Sequence, residues 1–382
     1  MGPLHGFRIL EMAALGPAPL AGMLLADMGA DVVRIDRLGD ADLGIKRDPR
    51  FDLPARGKRS VAVDLKAPAG RETVLRLVRG ADALIEGFRP GVMERLGLGP
   101  ADCHKVNPRL VFGRMTGWGQ TGPLAQAAAH DMNYIALTGA LEAIGPSADQ
   151  PPVAPLNLVG DFGGGSMFLA MGVLAALLER TTSGRGQVVD AAIVDGVGVL
   201  MAALHGQVAG GTWRHARGEH IVGGAAPWNS VYRTRDGGYV TVCAIEQRFW
   251  AELLKRLEID PASVPDRMDR ATWPALRSRF EEIFAGRTRD EWRALLEGSD
   301  ACFAPVLHVT EAPQHPHHVA RGAFEVHDGV RQPAPAPRFD RTPSAVQGPP
   351  ITRPGQHGDA VLRESGCSDA EIAALRAAGV VA

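Results

Sequence analysis

A histidine and an aspartate, His130 and Asp161, each stand at a turn of small residues in one stretch of the chain. It begins G-W-G-Q-T-G-P at Gly117, passes A-A-A-H-D-M-N-Y, and ends P-L-N-L-V-G-D-F-G-G-G-S-M. Each of the two precedes a run with helical periodicity. Small residues let a ligand come close to the backbone, and helix N-termini offer unpaired N–H donors. An imidazole so placed can exchange a proton near neutral pH. The aspartate carries three readings: an N-cap satisfying helix N–H groups, a charge-stabilised nucleophile, or an acid kept protonated by an apolar pocket.

Other candidates have plainer explanations. Glu246 follows the strand-like Tyr239 to Ala244 and opens a helical pattern, where an acid commonly serves the helix dipole. Gly117 to Gly122 matches G-x-G-x-x-G after a strand, but Pro123 follows at once and the match falls after the fifth strand of the pattern instead of the first. The dinucleotide fingerprint requires the opposite context, so an oxidoreductase is disfavoured. In His315-Pro-His317-His318 the proline breaks helical spacing and no cysteine or acid completes a ligand set, so a surface loop and no metal are expected.

The elements that must position these groups alternate. Phe7 to Met12 reads as a buried strand, Pro19 to Met28 as an apolar helix, and Asp31 to Asp36 as a second strand. The pattern continues with strand Val61 to Leu65, helix Gly70 to Arg79, strand Ala83 to Glu86, helices near Val92 to Leu96 and Pro100 to Val106, and strand Leu110 to Met115. This predicts an α/β fold, a doubly wound, mostly parallel sheet with ligands outside the strand carboxyl ends. Helical patterns at Ser166 to Arg180 and Ala191 to Leu204 flank a short strand at Gln187 to Asp190. Beyond a glycine-rich shift around Val208 to Pro227, a hairpin about Asp236-Gly237 and three helical patterns predict a smaller α+β domain. The expected organisation is therefore a large α/β domain over 1–207, a small domain over 208–335, and a C-terminal return over 336–382. In the return, Ser368 and Glu371 form a capping box.

Bulk properties exclude several classes. Lys+Arg 41 against Asp+Glu 43 gives a net charge of −2, with no electrostatic footprint for nucleic acid or an anionic membrane. The four cysteines form no C-x-x-C pair, which predicts a reducing, cytoplasmic setting. The longest apolar run, Met167 to Leu178, falls short of a membrane span, and Glu11 interrupts the N-terminal apolar stretch that could pass for a signal peptide.

Several stretches together carry a resemblance: G-A-D-V-V-R-I-D-R, R-G-K-R-S-V-A-V-D-L-K, L-I-E-G-F-R-P-G-V-M-E-R-L-G-L-G-P, M-T-G-W-G-Q-T-G, H-D-M-N-Y-I-A-L-T-G, P-L-N-L-V-G-D-F-G-G-G-S-M, G-Q-V-V-D-A and A-I-E-Q-R-F. Over essentially its whole length the chain resembles the class III CoA-transferase superfamily, on its α-methylacyl-CoA racemase branch. That resemblance implies an interlocked homodimer and an acyl-CoA thioester substrate, with CoA as part of the substrate and no separate cofactor. It implies His130 and Asp161 as the base pair, Glu246 supporting the histidine, and the backbone N–H near Asp131 as donor to an enolate oxygen. CoA would be held at Arg37, at Ala62, Val63, Asp64 and Leu65, at Arg89, and at Ala129, Met132 and Asn133. The chain departs from the family pattern at Ala129, Gln247 and His220. CoA transfer between two acids, with Asp161 as nucleophile, is the alternative within the superfamily, and acyl-CoA binding without turnover a further one. The acyl chain is left open: Met12, Met167, Met171 and Met201 could form an adaptable surface, although core packing explains methionines equally well.

Overall fold

The computed structural model describes residues 1–39, 48–213 and 216–382. Part of the predicted polar loop after Arg37 and two positions of the predicted 208–227 boundary lie outside the described residues. In chain order the elements begin β1 (Arg8–Met12), α1 (Pro17–Asp27), β2 (Asp31–Asp36), β3 (Lys58–Ala62), α2 (Pro68–Arg79) and β4 (Ala83–Glu86). They continue with α3 (Val92–Arg95), α4 (Pro100–Val106), β5 (Val111–Thr116), α5 (Asp131–Leu137) and α6 (Ala140–Ala143). A π-helical segment, Leu158–Ser166, runs into α7 (Met167–Ser183), followed by β6 (Val188–Ala192), α8 (Ile193–Leu200) and α9 (Ala202–Ala209). Next come β7 (Asn229–Arg233), β8 (Tyr239–Cys243), α10 (Gln247–Arg256), α11 (Trp273–Ala285), α12 (Arg289–Leu296) and β9 (Phe303–Val306). The last are α13 (Pro316–Ala320), β10 (Phe324–His327), β11 (Val330–Pro333), α14 (Gly358–Glu364) and α15 (Asp369–Ala377).

These elements divide into two compact units. The first comprises Met1–Thr138, Pro155–Ala202 and Gly322–Ala382. Its six-stranded sheet has the order β3-β2-β1-β4-β5-β6, and every neighbouring pair is parallel. That is the doubly wound order whose ligand crevice lies at the reversal, here between the carboxyl ends of β1 and β4. One sheet face presents Leu10, Met12, Val33, Leu84 and Phe112 to α2, α4 and the C-terminal helices through Val74, Leu77, Val78, Val361, Leu362 and Ile372. The other face packs against α7, which in turn contacts α1. A strand buried on both faces reads as a nearly unbroken apolar run, which is why β1, β2 and β4 are legible in the sequence.

The strand whose bounds moved most is β3. It spans Lys58–Ala62, pairing Val32 with Lys58 and Asp36 with Ala62, instead of the apolar Val61 to Leu65. The polar Lys58 can enter the sheet because its Nζ meets Glu11 Oε2 in the interior and the carbonyl of Pro19 at 2.8 Å. The segment after β3 is covered by the C-terminus. The Asp64 N–H donates to the Val380 carbonyl at 2.9 Å and the Ala382 N–H to the Ala62 carbonyl at 3.3 Å. The helix expected over Ala191 to Leu204 breaks near Met201 into α8 and α9.

The apolar helix of the sequence also begins earlier than its composition suggests. Leu158–Ser183 is one helical run of 26 residues, long and apolar enough by length and composition to cross a membrane. Leu169, Ala170, Val173, Ala176 and Leu177 are buried, and α7 packs against β5 and β6, as a core helix of a sheet does.

The second unit comprises Gly139–Ala154 and Ala203–Arg321. Its antiparallel sheet has the order β7-β8-β9, and the Asp236-Gly237 turn joins β7 to β8 as the hairpin signal predicts. An aromatic cluster fills its core: Trp228 meets Trp273 edge-on at 5.4 Å and Tyr232 stacks on Phe284 at 4.9 Å. Arg217 ties the 139–154 segment into this unit through Glu142 Oε1 at 2.8 Å and the carbonyl of Gln150 at 2.6 Å.

Candidate active site

The loops after β1 and β4 meet where the strand order reverses. Gly16, in the first of them, has φ 71° and a backbone so close to Asp161 that a Cβ there would lie 3.3 Å from Asp161 Oδ2. Any other residue would pay both for the left-handed backbone and for crowding the carboxylate.

Asp161 reaches this point because its segment winds as a π-helix. The Phe162 N–H donates to the Asn157 carbonyl at 3.1 Å, an i to i+5 bond, and Ser166 Oγ binds the carbonyls of Pro17 and Asp161 at 2.8 and 3.1 Å. Such wide turns often mark functional positions. The winding also removes the N-cap reading, since Asn157 precedes the segment and Asp161 lies within it. The glycines allow α8 to approach: a Cβ on Gly196 would overlap the Gly164 carbonyl, and one on Gly164 would overlap Val197.

Asp131 opens α5 and supports the same carboxylate. Its Oδ2 accepts the Asp161 N–H at 2.6 Å. Burial raises the Asp161 carboxyl to about 6, the negative charge of Asp131 adds to that rise, and a hydrogen bond from Asn157 and the charge of His130 oppose it. Burial likewise raises Asp131, which the N–H groups of Asp161 and Gly160 counter. A carboxyl near 6 is about a tenth protonated at pH 7, so it can both give and take a proton there.

His130 is the residue before α5, in extended backbone with φ −134°, and its own N–H donates to Asn133 Oδ1 at 3.1 Å. The imidazole is exposed and borders an open cavity walled by Phe88 and Arg89 on one side and by Gly117 and Trp118 on the other. Tyr134 completes the wall. Its hydroxyl donates to the Ala129 carbonyl at 2.6 Å, its ring meets Trp118 edge-on at 4.8 Å, and Gly117 is the only residue type that leaves room for that ring. His130 lines this cavity; Asp161, half-buried in the same unit, does not, and stands instead against Gly16 and Asp131.

Of the positions singled out in the sequence, Arg89, Ala129 and His130 line this cavity. Arg37 is exposed after β2, Ala62 and Val63 are buried beneath the C-terminal residues, Asp64 and Leu65 are half-buried, and Met132 and Asn133 are exposed on α5; none of these borders the cavity. Glu246 belongs to the second unit, where it is exposed and precedes α10. His315 of that unit meets Glu297 at 2.7 Å, a partner its sequence neighbours did not reveal. Sequence reasoning missed Gly16, Tyr134 and Asn157. Tyr134 had a signal, lying in the first turns of the helical pattern that follows His130.

The CoA-transferase family III profile matches residues 4–358. The chain is 42% identical over 380 residues to α-methylacyl-CoA racemase of Mus musculus, covering 99% of this chain and 97% of that one. It is 39% identical to the Homo sapiens racemase over 381 residues, with 99% and 97% covered. A crystal structure of a CaiB/BaiF family protein from Brucella suis superposes with a TM-score of 0.82 at 25% identity, covering 95% of this chain and 99% of that one. With its doubly wound sheet and this likeness over nearly its whole length, the chain belongs to CoA-transferase family III.

Proposed function

We propose that the chain is a racemase that interconverts (2R)- and (2S)-2-methylacyl-CoA thioesters by 1,1-proton transfer through an enolate. The observation that supports this reading is an Asp161 carboxyl raised to about 6 that feels the charge of His130, in a chain similar end to end to α-methylacyl-CoA racemases. Inversion needs a proton taken from one face of the α-carbon and another delivered to the opposite face. A singly protonated imidazole–carboxyl pair does this in either direction, and general acid–base help of this kind contributes about 10²–10⁴ in rate.

In this reading His130 and Asp161 are the two acid–base groups. The Asp131 N–H, at the first position of α5, donates to the enolate oxygen, where one donor is worth about 10²–10³. Arg89 and Arg37 bind the phosphates of CoA, and Ala62, Val63, Asp64, Leu65, Ala129, Met132 and Asn133 border the rest of it. No cofactor beyond the substrate's own CoA is needed. The free thiols of Cys103, Cys243, Cys302 and Cys367 support a reducing, cytoplasmic setting.

The functional form in this reading is a homodimer, in which Glu246 of a second copy supports His130. The first unit exposes Leu137, Leu156, Leu158, Met167, Met171 and Leu178, each at least 55% accessible. So much apolar surface on neighbouring helical segments is what a second copy covers. Sedimentation velocity gives a dimer if this holds and a monomer if it fails.

The experiment is proton NMR of the purified protein with a single-epimer 2-methylacyl-CoA in D₂O, with a second free carboxylic acid present. Deuterium at the α-carbon together with the opposite epimer is expected. Movement of CoA to the second acid without α-exchange would make Asp161 a nucleophile and the protein a transferase, and neither event would leave a protein that only binds.

A further inference from the structure

Arg114 sits in β5 between two acids in register with it, Glu86 on β4 and Asp190 on β6. It is buried, as is Glu86, and it does not border the cavity. Its Nε donates to Glu86 Oε1 at 3.1 Å, and its two terminal nitrogens reach Glu94 at 2.8 and 3.2 Å. Glu86 and Glu94 bracket the Gly87–Gly91 turn, so one guanidinium fixes both ends of the loop that carries Arg89. The second oxygen of Glu86 accepts the Phe88 N–H at 2.7 Å. Across the strand, Asp190 Oδ2 accepts the Gln120 N–H at 3.3 Å and feels the charge of Arg114. The loop held there is the one that supplies Gly117 and Trp118 to the opposite wall.

We propose that Arg114 is a positioning residue for the acyl-CoA site: through Glu86 and Asp190 it sets the Phe88–Arg89 and Gly117–Trp118 walls against one another. The proposal rests on the racemase reading for the meaning of the two walls, but its structural half does not. Burial disfavours the charge of Glu86 while the guanidinium supports it, so the pair persists against a desolvation cost. Apolar residues of equal volume would fill this space as stably. What they would not supply is direction, since Glu86 offers one oxygen to Arg114 and the other to a loop N–H.

The two walls have separable duties. The Phe88–Arg89 wall bears on CoA binding. The Gly117–Trp118 wall backs Tyr134, which holds the Ala129 carbonyl beside His130, and so bears on turnover. Four variants test this: Glu86→Gln, Asp190→Asn, Arg114→Lys and Arg114→Met. Hydrogen–deuterium exchange by mass spectrometry is read at Gly87–Arg89 and at Gly117–Gln120, alongside calorimetry with free CoA and α-deuteration kinetics.

Glu86→Gln should speed exchange in the first segment alone and raise Kd for CoA and KM by about tenfold, with kcat within about twofold. Asp190→Asn should speed exchange in the second segment alone and lower kcat by about tenfold with KM little changed. Arg114→Met should do both, and Arg114→Lys, keeping the charge without the fork, should restore part of each. Each variant loosening both segments alike, with activity falling only in step with Tm, would overturn the proposal, as would no change in either segment. Wild-type protein that exchanges no α-proton would sink the racemase reading while the exchange patterns and CoA affinity still decide the role of Arg114. Should Arg114→Met fail to fold, the other three variants carry the test.

Discussion

The carboxylate of Asp131 accepts the backbone N–H of Asp161 at 2.6 Å, so the residue after the site's histidine holds the residue that carries its carboxyl. The contact acts twice: it fixes the π-helical turn against the start of α5, and it places a negative charge beside a second one. In the proposed reaction His130 and Asp161 together carry one proton, and kcat/KM should therefore fall on the acid side as a second proton is added. Asp131 raises the Asp161 carboxyl, so removing its charge lowers that pKa and moves the acid limb to lower pH. Asp131→Asn keeps an acceptor for the Asp161 N–H and tests the charge alone. The pH profile of α-deuteration should show the shift with the same sign for both epimers, because one singly protonated state serves both directions.

Gly16→Ala should separate crowding from folding. The new Cβ would lie 3.3 Å from Asp161 Oδ2 on a backbone at φ 71°. The positive-φ backbone, with ψ −123°, costs alanine about 1–3 kcal/mol of stability, while displacement of the carboxyl should cost about tenfold or more in kcat/KM. Thermal melting and α-deuteration on the same sample measure the two effects, and an unchanged rate would mean that Gly16 serves only the turn.

Much of this was legible in the sequence for a physical reason. A parallel sheet buried on both faces writes itself as apolar strands alternating with helices, so β1, β2, β4 and β5 could be read directly. His130 and Asp161 stood out because ionisable groups among small residues at helix starts are seldom idle. What stayed hidden depends on contacts between distant positions. No local pattern shows that Gly16 meets Asp161, that Asp131 holds its N–H, or that the C-terminal residues cover Ala62 and Val63. The start of β3 was misplaced because Lys58 enters the interior only by virtue of Glu11, 47 positions away.

Tyr134→Phe removes one hydroxyl and keeps the ring that backs Trp118. The lost bond to the Ala129 carbonyl, 2.6 Å in the native protein, should cost about 1 kcal/mol of stability. The loop leading to His130 would lose its tether, so kcat should fall by about tenfold while far-UV circular dichroism stays unchanged. Steady-state racemisation with the Tyr134→Phe protein decides it, and a change confined to KM would show that the tether serves CoA binding instead.

The buried pair of Glu11 and Lys58 gives the largest expected loss of stability. Both side chains are fully inaccessible, burial raises the one pKa and lowers the other, and Glu11 Oε1 has no hydrogen-bond partner among the described residues. Attraction between the two offsets a desolvation cost that neither could bear alone. Lys58→Met leaves a carboxylate in the interior of the sheet and should cost about 3–5 kcal/mol, or force that carboxyl to stay protonated. A raised carboxyl pKa contributes stability below its ordinary value near 4.5 and loses it as pH rises through the folded value. The stability deficit of Lys58→Met should accordingly shrink at acid pH and grow towards neutrality. Glu11→Leu combined with Lys58→Met removes both charges and should recover most of the loss. Urea unfolding of the two variants at pH 5 and pH 8 makes the comparison, and a double variant as unstable as the single one would mean that the pair is held for packing and not for charge.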